Sequence, residues 1–168
     1  MTTIKLPERL KVGVFLSRLN RFLVEVKLDD NQVLAHLPNS GRLVTVLVPE
    51  ARAFLQEQRR FGRKSNYDLF AVENSGVPII VDTRFSTIAV RKAVEEGFFR
   101  ALKGYGVVRH NVKTNNSLLD LLLQRGARQF FLEIKCVTHV VDGIAMFPDA
   151  PTLRGRKHVK TLMKLVEQ

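Results

Sequence analysis

Alternating apolar and polar positions dominate the first part of the chain. In residues 21–28, Phe22, Val24, Val26 and Leu28 fall on one side, the period-2 pattern of a half-buried strand. Asp29, Asp30 and Asn31 form a turn signal, and residues 32–37 read as the returning strand of a hairpin. Pro38, Asn39, Ser40 and Gly41 mark another turn, and residues 42–48, rich in β-branched side chains, predict a third strand. A fourth follows Pro49 at residues 51–56. Residues 69–72 and 77–81 flank Glu73, Asn74, Ser75 and Gly76 as a further hairpin. Short strands in this density predict a small barrel such as an OB-fold, with a small sandwich as the alternative.

The period changes from Asp82 onward. Residues 86–102 read as a helix, with Val90, Val94, Phe98 and Ala101 on one stripe and Gly104 and Gly106 ending it. Strands are expected at 118–123 and 130–137, joined by a basic turn, and a third at 144–147. A last helix is expected at 155–167, with Val159, Leu162, Met163 and Val166 on its inner face. The expected architecture is α+β: an OB-like β-barrel domain over residues 1–81, then an α/β domain over residues 82–168. No internal repeat or low-complexity segment is present.

The 168 residues include 45% hydrophobic side chains, enough for a buried core without staples, and one cysteine, Cys136. A lone cysteine suits a reducing compartment, and the first residues carry no long apolar run, so a cytoplasmic protein is expected. No stretch has the length and apolarity of a membrane span. Charge narrows the partner. Lys and Arg number 27 against 16 Asp and Glu, a net charge of +11, which attracts polyanions. DNA is the expected partner, no membrane partner is expected, and a homodimer is allowed. The plain alternative is a basic surface that only maintains solubility. A scaffold whose barrel binds another protein is a third class, without a clear sign in the sequence.

Candidate chemistry lies in the second half. Asp120 interrupts the apolar run of residues 118–123, where a carboxylate is costly to bury unless it binds something. Glu133 and Lys135 are two apart on an expected strand and so share a face. A hairpin would bring Asp120 level with Glu133. Two such carboxylates make a hard oxygen site suited to Mg²⁺ or Mn²⁺. Lys135 could orient or deprotonate a water there, the logic of phosphodiester hydrolysis. The plain alternative is a solvated strand with a Glu133–Lys135 ion pair.

Residues 146–158 lead into the last helix, whose free N–H groups could meet a phosphate with Arg154 and Lys157 beside it. His158 in that segment reads as a packing or hydrogen-bonding residue. In the first half, Arg18 and Arg21 lie where a strand meets a loop. Arg59, Arg60, Arg63 and Lys64 surround Phe61 in a basic cluster. All six are candidate DNA phosphate contacts.

Several segments in order resemble one family: residues 13–22, Pro38 to Arg42, Asn116 and Ser117 through Asp120, Glu133 to Thr138, and Phe147 to Ala150 with Arg154, Gly155, Lys157 and His158. They are similar to the sugar fermentation stimulation protein A family. The resemblance implies an N-terminal OB-like domain and a C-terminal domain of the PD-(D/E)XK nuclease fold. It implies DNA binding with little sequence preference, linked to regulation of sugar metabolism, and a nuclease-like motif at Asp120, Glu133 and Lys135. The chain departs from the family pattern at Leu118, Asn111 and Leu153, where Arg, Glu and Glu are usual. The family's acidic residue on the first helix is represented by Glu95 or Glu96, or replaced by Lys92. Members usually continue past the position of Gln168, so a shorter member or a truncated sequence is expected.

Overall fold

A computed structural model describes residues 3–58, 62–114, 117–141, 144–147 and 152–167. The chain divides into two compact units. One comprises Lys5–Phe85 and Cys136–Phe147; the other comprises Ser86–Lys135 with Pro148–Gln168 and Met1–Ile4.

The first unit is built on β1 (Lys11–Asn20), β2 (Leu23–Leu28), β3 (Asn31–His36), β4 (Arg52–Glu57), β5 (Tyr67–Asn74) and β6 (Val77–Ile80). Their order is β3-β2-β1-β4-β5-β6, and β3 also pairs with β5 in parallel, Ala35 opposite Tyr67. That second pairing closes a five-stranded OB-like barrel and leaves β6 on its side. Gly13 lets β1 and β2 approach closely: a Cβ there would lie 2.5 Å from the Lys27 carbonyl oxygen. Phe15, Val24, Val26, Ala35, Leu37, Leu55, Leu69 and Val72 fill the barrel. A small antiparallel ribbon, β10 (Val140–Val141) with β11 (Ile144–Ala145), belongs to the same unit.

Residues 42–48 do not form the expected third strand. They coil into turns, with Val46 N–H bonded to Leu43 O at 3.0 Å and Leu47 N–H to the same oxygen at 2.9 Å. Leu43 adopts φ 56°. Leu43 and Val46 are buried in the barrel core, so the turn acts as a plug. Burial at the barrel end selects the β-branched run and overrides its strand propensity. A strand not expected from the sequence, β1, lies between β2 and β4 in the sheet.

The second unit contains most of α1 (Thr83–Glu95), a 3-10 turn (Arg100–Leu102), an antiparallel sheet and α2 (Leu153–Val166). The sheet runs β7 (Gly106–Lys113), β8 (Leu118–Arg125), β9 (Arg128–Leu132). α1 begins earlier than expected because Asp82 accepts from Arg84 N–H at 2.9 Å, which caps the first turn. It ends earlier because Gly97 sits at φ 68° and Phe98 N–H bonds back to Ala93 O at 2.9 Å. Leu121 and Leu123 of β8 pack with Val94 of α1 and with Leu102. Val112, Leu119 and Leu122 pack with Leu162 and Leu165 of α2. The inner face of α2 is therefore His158, Thr161, Leu162 and Leu165. Val159, Met163 and Val166 are exposed, contrary to expectation.

Candidate metal centre and basic surface

Asp120 lies on β8 two residues before Leu122 and so shares its sheet face. Leu121 pairs with Leu132, so one further antiparallel step sets Asp120 level with Glu133. The segment carrying Glu133 meets Asp120 by a different local structure from the expected strand pair. The β8–β9 ladder stops at Leu132. Ile134 N–H donates at 2.6 Å to Asp120 Oδ2 rather than to a strand carbonyl. A side-chain carboxylate thus replaces the ladder, and residues 133–135 leave the sheet at this point.

Glu133 is the buried member, its side chain only 6% exposed. Its Oε1 meets both Lys135 Nζ and His158 Nδ1. With a carboxylate facing it, Nδ1 is the nitrogen that carries the proton and donates. Glu133 Oε2 is buried and has no hydrogen-bond partner among the described residues. Burial first of all, and then the charge of Glu133, push the Asp120 carboxyl above its ordinary range, against the opposing Ile134 N–H bond. The charge of one carboxylate thus raises the proton affinity of the other, and one oxygen is orphaned; both features favour a cation.

The donor set fits a small hard divalent ion. Among the described residues no group of three or more His, Cys, Asp and Glu side chains is placed to hold a metal. The protein offers two carboxylates, and the remaining positions would fall to water or substrate oxygens. That is the usual coordination habit of Mg²⁺. Glu133 and Asp120 would hold such an ion, while His158 and Lys135 fix the rotamer of Glu133 from the other oxygen.

His158, read from the sequence as a packing or hydrogen-bonding residue, hydrogen-bonds Glu133. It is 4% exposed on α2. The signal was available: His158, Leu162 and Leu165 recur at helical spacing with Thr161 beside them, which is the stripe that α2 buries. Thr161 is satisfied by Ser117 Oγ at 2.8 Å and by Lys157 O at 2.9 Å. Thr152 caps α2, accepting from Gly155 N–H at 2.8 Å. A Cβ on Gly155 would come within 2.9 Å of that Thr152 oxygen, so a side chain there requires the Thr152 side chain to shift.

The expected DNA contacts separate into engaged and free side chains. Arg18 donates to the carbonyl oxygens of Arg21 at 2.7 Å, Arg42 at 2.7 Å and Gly41 at 2.8 Å, and so ties the barrel's loops together. Arg63 is ion-paired with buried Asp68, which also binds Arg84 at 2.6 Å. Arg18 and Arg63 thus have structural partners within the barrel unit. Arg21 stacks over Phe22, 5.5 Å from the ring centre. Lys64, Arg154 and Lys157 are exposed and carry no ion pair among the described residues. Arg59 and Arg60 lie outside the described residues, as do Phe61, Asn116 and the segment 148–151. Cys136 is half-buried with Sγ 3.8 Å from Ile80 O. No helix among the described residues is long and apolar enough to cross a membrane.

Comparison with known proteins agrees with this architecture. Residues 16–81 match the family profile described as SfsA N-terminal OB domain, and residues 84–168 match the one described as Sugar fermentation stimulation protein RE domain. A sugar fermentation stimulation protein homolog from Caldanaerobacter subterraneus subsp. tengcongensis is 38% identical over 156 residues, covering 93% of this chain and 68% of the relative. A homolog of the same name from Moorella thermoacetica is 38% identical over 164 residues, covering 96% and 71%. A solved structure of Pyrococcus furiosus SfsA in complex with Ca²⁺ superposes with a TM-score of 0.90 at 30% identity, covering 98% of this chain and 70% of that one. Barrel, second unit and the Asp120–Glu133–Lys135 segment all lie within these matched regions, and the chain belongs to the sugar fermentation stimulation protein family.

Proposed function

We propose that the chain is a DNA-binding protein whose second unit holds Mg²⁺ or Mn²⁺ between Asp120 and Glu133 in a nuclease-type centre. The observation that carries the reading is Glu133 Oε2, a buried carboxylate oxygen without a partner, beside a second carboxylate whose proton affinity is raised. Burying such an oxygen unpaired is unfavourable, and a cation relieves it. The complex of Pyrococcus furiosus SfsA with Ca²⁺ supports an oxygen-donor cation site in this family. When bound, a divalent ion supplies Lewis-acid stabilisation of charge on a phosphoryl oxygen. Asp120 and Glu133 provide the negative field that holds it. Lys135 stands next to them with its ammonium on Glu133 Oε1, where it can orient a water or steady a phosphate oxygen. The net charge of +11 supports a polyanionic substrate.

Incubating supercoiled plasmid with the protein and Mg²⁺ or Mn²⁺, beside Asp120→Ala, tests the chemistry. Nicking by wild type that is lost in Asp120→Ala and in EDTA is the expected result. Equal nicking by the variant would mean contamination. DNA binding without nicking favours a second reading, binding alone, in which Lys135 stays locked to Glu133 and His158.

A further inference from the structure

Two concavities lie along α2 in the second unit. One, of about 390 Å³, is lined by Leu153, Arg156, Lys157, Lys160, Thr161 and Lys164. The other, of about 580 Å³, lies between α2 and the sheet, with Arg109, Lys113 and Lys164 among its walls. They share Thr161 and Lys164 and so adjoin one another. Among the described residues, neither is lined by an acidic side chain. All six cations are exposed, and none has an ion-pair partner among the described residues. Arg156, Lys160 and Lys164 are four apart, which sets them on one helix ridge at steps of about 6 Å.

Like charges at that spacing repel one another along a helix, and among the described residues none of the three forms an ion pair. On α1, by contrast, two cations are ion-paired, Arg91 with Glu95 and Lys92 with Glu96. We propose that this double concavity is the track for a nucleic-acid backbone, with Arg109, Lys113, Lys160 and Lys164 as its phosphate contacts. The proposal rests on the DNA-binding reading above and deepens it by placing the contacts on residues other than those of the metal centre. A linear row of cations in a concave track suits a chain of phosphates. A planar lipid surface cannot follow the walls formed by both α2 and β7. Binding in the track needs no metal.

The test is fluorescence anisotropy with labelled single-stranded and duplex DNA, in EDTA, across a salt series. Wild type is compared with a quadruple variant, Arg109→Gln, Lys113→Gln, Lys160→Gln and Lys164→Gln. A control removes the same charge elsewhere through Lys5→Gln, Lys27→Gln, Arg42→Gln and Lys103→Gln. The expected result is at least a tenfold loss in the track variant, and a salt slope shallower by about 0.9 for each lost contact on duplex. The charge-matched control stays near wild type. If the matched control weakens as much as the track variant, general charge alone is at work and the track is overturned. Undiminished binding by the track variant overturns the track but keeps DNA binding. No binding by wild type overturns both readings. Should the quadruple variant fail to fold, the pair Lys160→Gln and Lys164→Gln carries the same comparison. Phosphatidylserine vesicles serve as the last arm: vesicle binding lost in the track variant, with DNA binding intact, overturns the proposal in favour of a lipid surface.

Discussion

Removing His158 should loosen the metal centre without touching a metal ligand. Its Nδ1 meets Glu133 Oε1 in a place where the histidine is 4% exposed and the glutamate side chain 6%. In His158→Ala, Lys135 alone restrains that oxygen, and the carboxylate gains rotamer freedom that a bound ion must again remove. Loss of a group that orients a metal ligand typically lowers metal affinity about 10–100-fold. That corresponds to roughly 1.4–2.7 kcal/mol. Isothermal titration with Mn²⁺ reads it directly, on wild type, His158→Ala and His158→Gln. A Gln amide can also donate to Oε1, so His158→Gln should recover part of the loss. Thermal midpoints in EDTA separate this role from simple packing, since a packing role would lower the midpoint of both variants and leave the affinity of the folded fraction unchanged. Unaltered Mn²⁺ affinity in His158→Ala would refute the reasoning.

The barrel unit has its own charge device, and it predicts two outcomes. Asp68 is fully buried between Arg63 and Arg84, and Arg84 also grips Asp82 at 2.5 Å. Breaking a buried pair from one side costs about 3–5 kcal/mol, but Arg84 is half exposed and water can replace it, so Arg84→Met should lose nearer ~2 kcal/mol in urea unfolding. An unchanged midpoint would contradict the clamp. Burial pushes the Asp68 carboxyl up, yet the hydrogen bonds from Arg63 and Arg84 outweigh it and hold the group below its ordinary range. Its folded value is therefore below its unfolded value. The clamp's stability is present above the ordinary aspartate range and drains away as pH falls through the folded value. Unfolding free energies from about pH 5 down to about pH 2 should fall more steeply in wild type than in Asp68→Asn. Parallel curves would rule out that linkage.

The period-2 stretches were legible because each strand buries one face. β2, β3 and β4 follow that alternation, and the turn residues between them mark their ends. β7 was missed because Arg109, His110, Asn111 and Lys113 break the apolar pattern; nearly all of that strand is exposed, and Asn111 stands at φ 50°. The run at residues 42–48 misled because a plug at a barrel mouth selects the same apolar types as a strand. α2 misled through its face: a scale of apolarity chose Val159, Met163 and Val166, whereas the buried stripe includes His158 and Thr161. Polar residues can occupy such a stripe when their partners are already in place, here Glu133 and Ser117. The pairing of Asp120 with Glu133 was visible as an acidic residue inside an apolar run. What spacing alone could not show was that Ile134 would leave the ladder to bind the Asp120 carboxylate, nor that Glu133 would be buried with one oxygen unpaired.

Anomalous scattering from a Mn²⁺-soaked crystal tests the central claim most directly. A single strong peak within about 2.0–2.6 Å of oxygens from both Asp120 and Glu133 is the predicted result. No peak there in wild type at millimolar Mn²⁺, or an equal peak in a Glu133→Gln crystal, would contradict it.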